Sequence, residues 1–355
     1  MEKPELLRKF DNYIKSLSKE DRIALFHHSD ADGFCAALLV SRALEQLIGK
    51  KPDFRFVVPV PGSALNAEHL AELKAKGANK LISVDLSLDQ NLIHLKKAEK
   101  IMEILILDHH KLYNDVNGEK TVMVKSQMLS EIEPSHYCAS KLSYDLFSRL
   151  TPLEKYGWWA AVGIIGDMGD KQWTDFLESA AKKAGITVEQ LNNIEEIISA
   201  VESMSFSGLY GLFSVFYSAN PKELLTGEYA KKVEDFRKEL SRYAKDAKEN
   251  AEIFPEKGLV FYFFESGHQI KSALINELAI NAWPGKTVVV VQDFGEGDLR
   301  ISARREDFKI KVNELLEKAV NGIEGARAGG HAPAAGGRIP RETLETFKRN
   351  LLKLV

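Results

Sequence analysis

Four short apolar runs fall in the first third of the chain, and helically spaced segments separate them. Arg22–Phe26 reads as a strand, followed by a helix over Gly33–Leu47. Phe54–Val60 reads as the next strand, followed by a helix over Ala67–Lys76. Leu81–Val84 is a strand ending at Asp85, and Gln90–Lys100 is helical. Ile104–Leu107 is a strand ending at Asp108. Strands that alternate with helices form βαβ units and hence a parallel sheet. Runs that are apolar throughout are those of strands covered on both faces. The expectation is an α/β domain over residues 1–170.

From Tyr137 to about Asn250 the spacing is helical. Trp158–Ile165 is apolar all round, as in a buried helix, and ends in Gly-Asp-Met-Gly-Asp. Residues 171–255 are charged, amphipathic and poor in strand signals. They read as a helical insertion or linker that closes with one long exposed helix. This segment is a candidate docking or homo-oligomer surface, with a solvated spacer as the alternative. Strand and helix signals resume near Gly258: strands at Gly258–Phe264, Thr287–Gln292 and Leu299–Ala303, helices at Ser272–Ala282, Lys309–Lys318 and Arg341–Leu352. Residues 256–355 are therefore expected to form a smaller α/β domain. The Ala/Gly-rich tract at 325–337 reads as a site loop.

At 355 residues the chain is long enough for two or three domains with cores of their own. A net charge of −3 excludes a bulk polyanion binder, although a local basic patch can still hold phosphates. The two cysteines, Cys35 and Cys138, form no framework, which favours a reducing compartment. The charged N-terminus has no apolar core of a secretory signal, and no run approaches the ~20 apolar residues of a membrane span. Cytoplasmic is the expected location.

Acidic and histidine clusters follow three of the strands: His28-Ser29-Asp30-Ala31-Asp32-Gly33, then Asp85, then Asp108-His109-His110. Ligands bind at the carboxyl ends of strands in open α/β sheets. Separate loops would thus bring these groups to one edge, where Asp167 adds a carboxylate from the end of the buried helix. So many like charges need a counterion. Carboxylates with imidazoles suit Mn²⁺, Fe²⁺, Zn²⁺ or Mg²⁺, and the lack of thiolates argues against a structural zinc. Two such ions can clamp the attacking and leaving oxygens of phosphoryl transfer. Taken singly, each Asp is as readily a helix cap; the ordered set is what carries the metal reading.

At these residues the sequence resembles the DHH phosphoesterase superfamily: HHSDADG at 27–33, VD at 84–85, LDHH at 107–110 and GIIGD at 163–167. GGHAPAAG at 329–336 and ISARR at 301–305 resemble the accompanying DHHA1 domain. The DADG form is similar to that of the archaeal RecJ-like nuclease subgroup. The resemblance implies that Asp30 binds a first metal, Asp32 a second, and Asp85 both. His109 and Asp167 would complete the ligands of the second metal, and His28 would serve the first. His110 would touch the scissile phosphate, with Asp108 orienting its neighbour. For substrate binding it implies Arg304, Gly330 and His331, with Arg305 and Arg338 behind them. The cofactors would be two divalent ions, Mn²⁺ ahead of Mg²⁺.

The first functional expectation is an exonuclease that trims single-stranded DNA or RNA from an end. The alternative keeps the chemistry and shrinks the substrate to short oligonucleotides, bisphosphate nucleotides or cyclic dinucleotides, which suit the compact length. A third is a catalytically weak replication or repair interaction protein with a protein partner, disfavoured because every motif is intact.

Overall fold

The computed structural model describes residues 2–59, 64–295 and 297–355. Contacts divide it into two compact units: residues 1–202 with 206–230, and 203–205 with 231–355.

The first unit begins with α1 (Lys3–Ser16) and β1 (Ile23–His28). It continues through α2 (Ala31–Ile48), β2 (Phe54–Val58), α3 (Ala67–Ala75), β3 (Lys80–Val84), α4 (Leu92–Ala98), β4 (Glu103–Asp108) and β5 (Thr121–Lys125). The five strands lie in the order β2-β1-β3-β4-β5, all parallel. The expected Phe54–Val60 strand ends at Val58, and Val60 lies outside the described residues. β5 was not anticipated: its apolar run is confined to Val122–Val124, between Thr121 and Lys125.

The strand order reverses at β1, whose neighbours β2 and β3 lead away on either side. A crevice opens at such a switch point beyond the strands' carboxyl ends. The register keeps those ends level: His27 pairs with Val84, and Val84 with Leu107. His28, Asp85 and Asp108 therefore leave the sheet side by side.

Both faces of the sheet are covered, as the apolar runs require. Phe26, Phe56, Leu81, Ile104 and Ile106 form a core on one face. α2 packs against β1 on the other, together with α5 (Ala139–Ser148) and α6 (Gly157–Gly166). α2 is buried along most of its length, Phe34, Leu38 and Leu39 completely. Each such side chain contributes about 1.5–3 kcal/mol, so the helix that starts the site is firmly anchored. α7 (Thr174–Ala184), α8 (Val188–Met204), α9 (Gly208–Ser218) and α10 (Pro221–Leu224) follow. All but the end of α8 belongs to this first unit. α11 (Glu228–Asn250) is the long helix anticipated from its charge pattern, and it buries only Val233, Phe236, Ala244 and Ala247.

The second unit is built on β6 (Glu252–Phe254), β7 (Leu259–Glu265), α12 (Lys271–Glu277), β8 (Thr287–Asp293), β9 (Asp298–Arg304), α13 (Val312–Ala319), β10 (Arg327–Gly330), β11 (Ala334–Pro340) and α14 (Leu344–Leu354). Its mixed sheet runs β10-β11-β9-β8-β7-β6, with only β7 and β8 parallel. The tract read as a site loop is instead an antiparallel hairpin, β10–β11, with His331 in its turn. Its composition hid it, because alanine and glycine carry no strand signal. Glycine is nonetheless required there. Gly330 has φ 138°, and a Cβ on it would lie 2.7 Å from the Ala334 carbonyl oxygen.

Candidate metal centre

The end of β1 delivers His28, and the chain turns directly into α2. Asp30 caps that helix: its Oδ1 accepts the Gly33 N–H at 2.9 Å. The capping role expected of such a residue is real, and it leaves Oδ2 turned to His28 Nδ1 at 2.7 Å. The same His28 nitrogen lies 3.3 Å from Asp85 Oδ2. His28, Asp30 and Asp85 thus converge as one set of ligand-type atoms within 4.8 Å of one another.

A second set shares Asp85. Asp32, in the first turn of α2, is buried and receives the Ala139 and Ser140 N–H groups at the start of α5, both at 2.7 Å. His109 Nδ1 lies 2.9 Å from the Pro134 carbonyl oxygen. A carbonyl can only accept, so Nδ1 carries a proton and Nε2 is the nitrogen that would present its lone pair to a metal, the arrangement typical of metal-ligating histidines. That Nε2 stands 3.2 Å from Asp85 Oδ1, 3.2 Å from Asp167 Oδ2 and 3.7 Å from Asp32 Oδ2.

Asp167 reaches this set because α6 approaches unusually closely. A Cβ on Gly163 would stand 2.1 Å from Ser140 Oγ, and one on Gly166 would stand 2.7 Å from the Ala31 side chain. The two glycines of GIIGD are therefore contact points between helices.

Asp108 behaves differently. Its Oδ1 holds His110 Nδ1 at 2.7 Å, and Lys125 Nζ lies 2.9 Å from its Oδ2. His27, one residue before His28, faces away: its Nδ1 meets the His28 carbonyl and its Nε2 lies 3.0 Å from Arg55. Burial and the Arg55 charge lower its pKa to about 3, so it is neutral. Lys125 and the α5 N–H groups were not foreseen. Neither a lysine nor a backbone amide marks a site by residue type alone.

The electrostatics call for a cation. Both Asp85 oxygens and Asp167 Oδ2 are buried and make no well-formed hydrogen bond among the described residues. Burial and the neighbouring Asp85 raise the Asp32 pKa to about 6, and burial likewise raises that of Asp167. Burial opposes a charge on His28 and His109, yet the surrounding carboxylates push both pKa values up. Oxygen and imidazole donors with no thiolate needed, in two sets joined by one carboxylate, fit divalent metal ions.

In the second unit, paired positions share a sheet face. Arg300 pairs with Arg338, Ser302 with Gly336, Arg304 with Ala334, and Arg338 also with Arg327. These arginines lie on the face opposite Leu299, Ile301 and Ala303, which are in the unit's core. Arg304 also meets Asn276 and Glu306, and Arg338 stands 3.3 Å from Asp298. Arg305 is held by Asp307 and Thr287. The His331 N–H donates to the Ala334 carbonyl, which fixes the turn after Gly330. His268 is paired to Glu239 at 2.5 Å.

Residues 22–181 match the DHH family N-terminal domain, and residues 256–355 match the DHHA1 domain. The chain belongs to the DHH family. As a DHH protein it is a metal-dependent phosphoesterase, a hydrolase of phosphoester bonds. No curated protein matches it. Among solved structures it is similar to a DHH-domain protein described as a member of the s1p family of ribosomal proteins (TM-score 0.72, 16% identity, 99% of this chain and 90% of that one). It is similar to RecJ from Thermus thermophilus in complex with Mn²⁺ (TM-score 0.72, 17% identity, 98% of this chain) and spans only 53% of that protein's length. An exonuclease RecJ bound to manganese gives a TM-score of 0.67 at 19% identity, over 97% of this chain and 93% of that one. At these identities the likeness establishes the shared fold. No helix among the described residues is long and apolar enough to cross a membrane.

Proposed function

We propose that this DHH protein is a two-metal phosphodiesterase that trims single-stranded DNA or RNA from an end. The observation that carries the reading is Asp85, one buried carboxylate facing two sets of ligand-type atoms. His28, Asp30 and Asp85 would hold one ion; Asp32, Asp85, His109 and Asp167 would hold the other. Such a pair activates a water and neutralises the charge that develops on the phosphoryl oxygens. His110 would stand at the scissile phosphate, held by Asp108. Mn²⁺ is the first choice of metal, supported by the manganese-bound RecJ structures that share the fold, with Mg²⁺ second.

For the substrate, the support comes from the arginine-bearing face of the second unit. Arg304 and Arg338 supply planar donors suited to phosphates, and Gly330 and His331 offer a turn that an anion can approach. A replication or repair protein partner belongs to the same reading.

The test is hydrolysis of end-labelled single-stranded DNA and RNA of graded length with Mn²⁺, beside bisphosphate nucleotides and cyclic dinucleotides. A ladder that shortens from one end is expected. Turnover of only the shortest oligomers or mononucleotides would replace the exonuclease with a small-substrate phosphodiesterase. In the same assay His331→Ala is expected to raise KM by roughly tenfold, the loss of one charge-assisted contact. Its kcat and its Mn²⁺ titration midpoint should stay near the parent values; a shifted midpoint would place His331 among the metal ligands instead.

A further inference from the structure

Lysine is among the side chains least often fully buried, yet Lys125 has no exposed surface. It ends β5, and the register sets it directly beside Asp108. Its Nζ lies 2.9 Å from Asp108 Oδ2 and 2.9 Å from Asp89 Oδ1, and both aspartates are also completely buried. The same nitrogen donates to the carbonyls of Lys111 at 2.8 Å and His110 at 3.2 Å. Asp89 Oδ2 in turn accepts the Tyr113 N–H at 2.7 Å. The segment after the histidine pair is therefore clamped at its carbonyls by the ammonium and at an amide by Asp89.

An ion pair this deeply buried is a poor device for stability alone. Apolar side chains of similar volume commonly do as well or better, because desolvating the charges is costly. What the ammonium does offer is direction. With Oδ2 committed to Lys125, Asp108 presents Oδ1 to His110, at 2.7 Å from Nδ1 and 3.2 Å from the backbone N–H. A carboxylate offers acceptors only, so the proton between them sits on His110 Nδ1. Nε2 is then the ring nitrogen that Asp108 does not engage.

We propose that Lys125 is a positioning residue which, through Asp108, fixes the orientation and tautomer of His110. The proposal rests on the reading that His110 acts at the phosphate, and its test separates the two. Lys125→Met/Asp89→Asn removes one charge of each sign and is compared with Asp89→Asn alone. In the Mg²⁺-loaded protein, ¹⁵N-histidine spectra, assigned with His110→Gln, are expected to show His110 protonated at Nδ1 in the wild type and in Asp89→Asn. The double variant is expected to show a mixture of tautomers. Its kcat on a single-stranded oligonucleotide should fall about tenfold below that of Asp89→Asn, the scale of a lost outer-shell partner, with KM little changed.

Should the double variant fail to fold, Lys125→Leu/Asp89→Asn removes the same two charges with a different apolar shape. An unaltered His110 spectrum in the folded double variant overturns the proposal. An altered spectrum in a protein whose wild type hydrolyses no phosphodiester upholds the positioning role and rejects the proposed function.

Discussion

Asp85→Ala is expected to lower kcat/KM by roughly 10³-fold, about 4 kcal/mol of transition-state stabilisation, while the protein still folds. The asymmetry comes from where Asp85 stands. Its Oδ2 faces His28 at 3.3 Å, and its Oδ1 faces His109 at 3.2 Å and His110 at 3.6 Å. Removing it strips a ligand from both proposed ions at once. The backbone at Asp85 has φ 58°, a left-handed conformation that short polar side chains tolerate better than alanine does. Strain of this kind is stored at functional sites at a cost of about 1–3 kcal/mol, so the variant should be modestly less stable as well. Mn²⁺ stoichiometry separates the effects. Asp30→Ala should lose one ion per chain and Asp85→Ala weaken both, with thermal melts confirming that each is folded. Activity within tenfold of the parent in Asp85→Ala would show that the two sets are not one centre.

Much of this site could be read from the sequence because it rests on strand ends. Each of β1, β3 and β4 announces itself as an apolar run, and residues just past the carboxyl ends of parallel strands lie on one edge whatever the crossovers do. His28, Asp30, Asp85 and Asp108 fall on that edge by position, although only the ordered set, and no single residue, pointed to a metal. Asp32 belonged to the same cluster as Asp30, and Asp167 stood at the end of the buried helix, but the close approach of α6 to α2 and α5 that brings Asp167 to His109 could not be read from the sequence. The features that escaped did so for physical reasons. β5 is short and ends in a lysine, a residue whose usual place is the surface. The β10–β11 hairpin is built from residues without strand propensity, held by register with β9 rather than by local preference. The helical segment read equally as a docking surface or a spacer, because an amphipathic pattern says that a face is covered without saying by what. In the structure, the Ser29 hydroxyl of the loop between β1 and α2 donates to Glu202 of α8.

Raising the pH from about 5.5 to 8 is expected to destabilise the metal-free protein and to enlarge the stabilisation that Mn²⁺ provides. The sign depends on which state holds more protons. Asp32, raised from 3.8 to about 6 by burial and by Asp85, is more protonated folded than unfolded between those values, so its contribution falls as pH rises through that window. Asp167 shifts in the same direction. His28 and His109 are raised above their ordinary 6.5 by the carboxylates facing them. Their charged form stabilises the fold fully below about pH 6.5, and that stabilisation is lost as pH climbs through their folded-state values. Asp85 has the opposite sign, but its pKa lies below 3.8, so it is silent across this range. Each proton held in excess by the folded state costs about 1.4 kcal/mol per pH unit. A metal ion takes the place of those protons, binding the same atoms deprotonated and stabilising only the folded state. Melts in EDTA and in saturating Mn²⁺ should therefore diverge, with a metal-induced rise in Tm at pH 8 exceeding that at pH 5.5 by about 5 °C or more. Asp32→Asn should flatten the metal-free profile between about pH 4 and 6. An increment that is the same at both pH values would mean that the ions do not sit among these four groups.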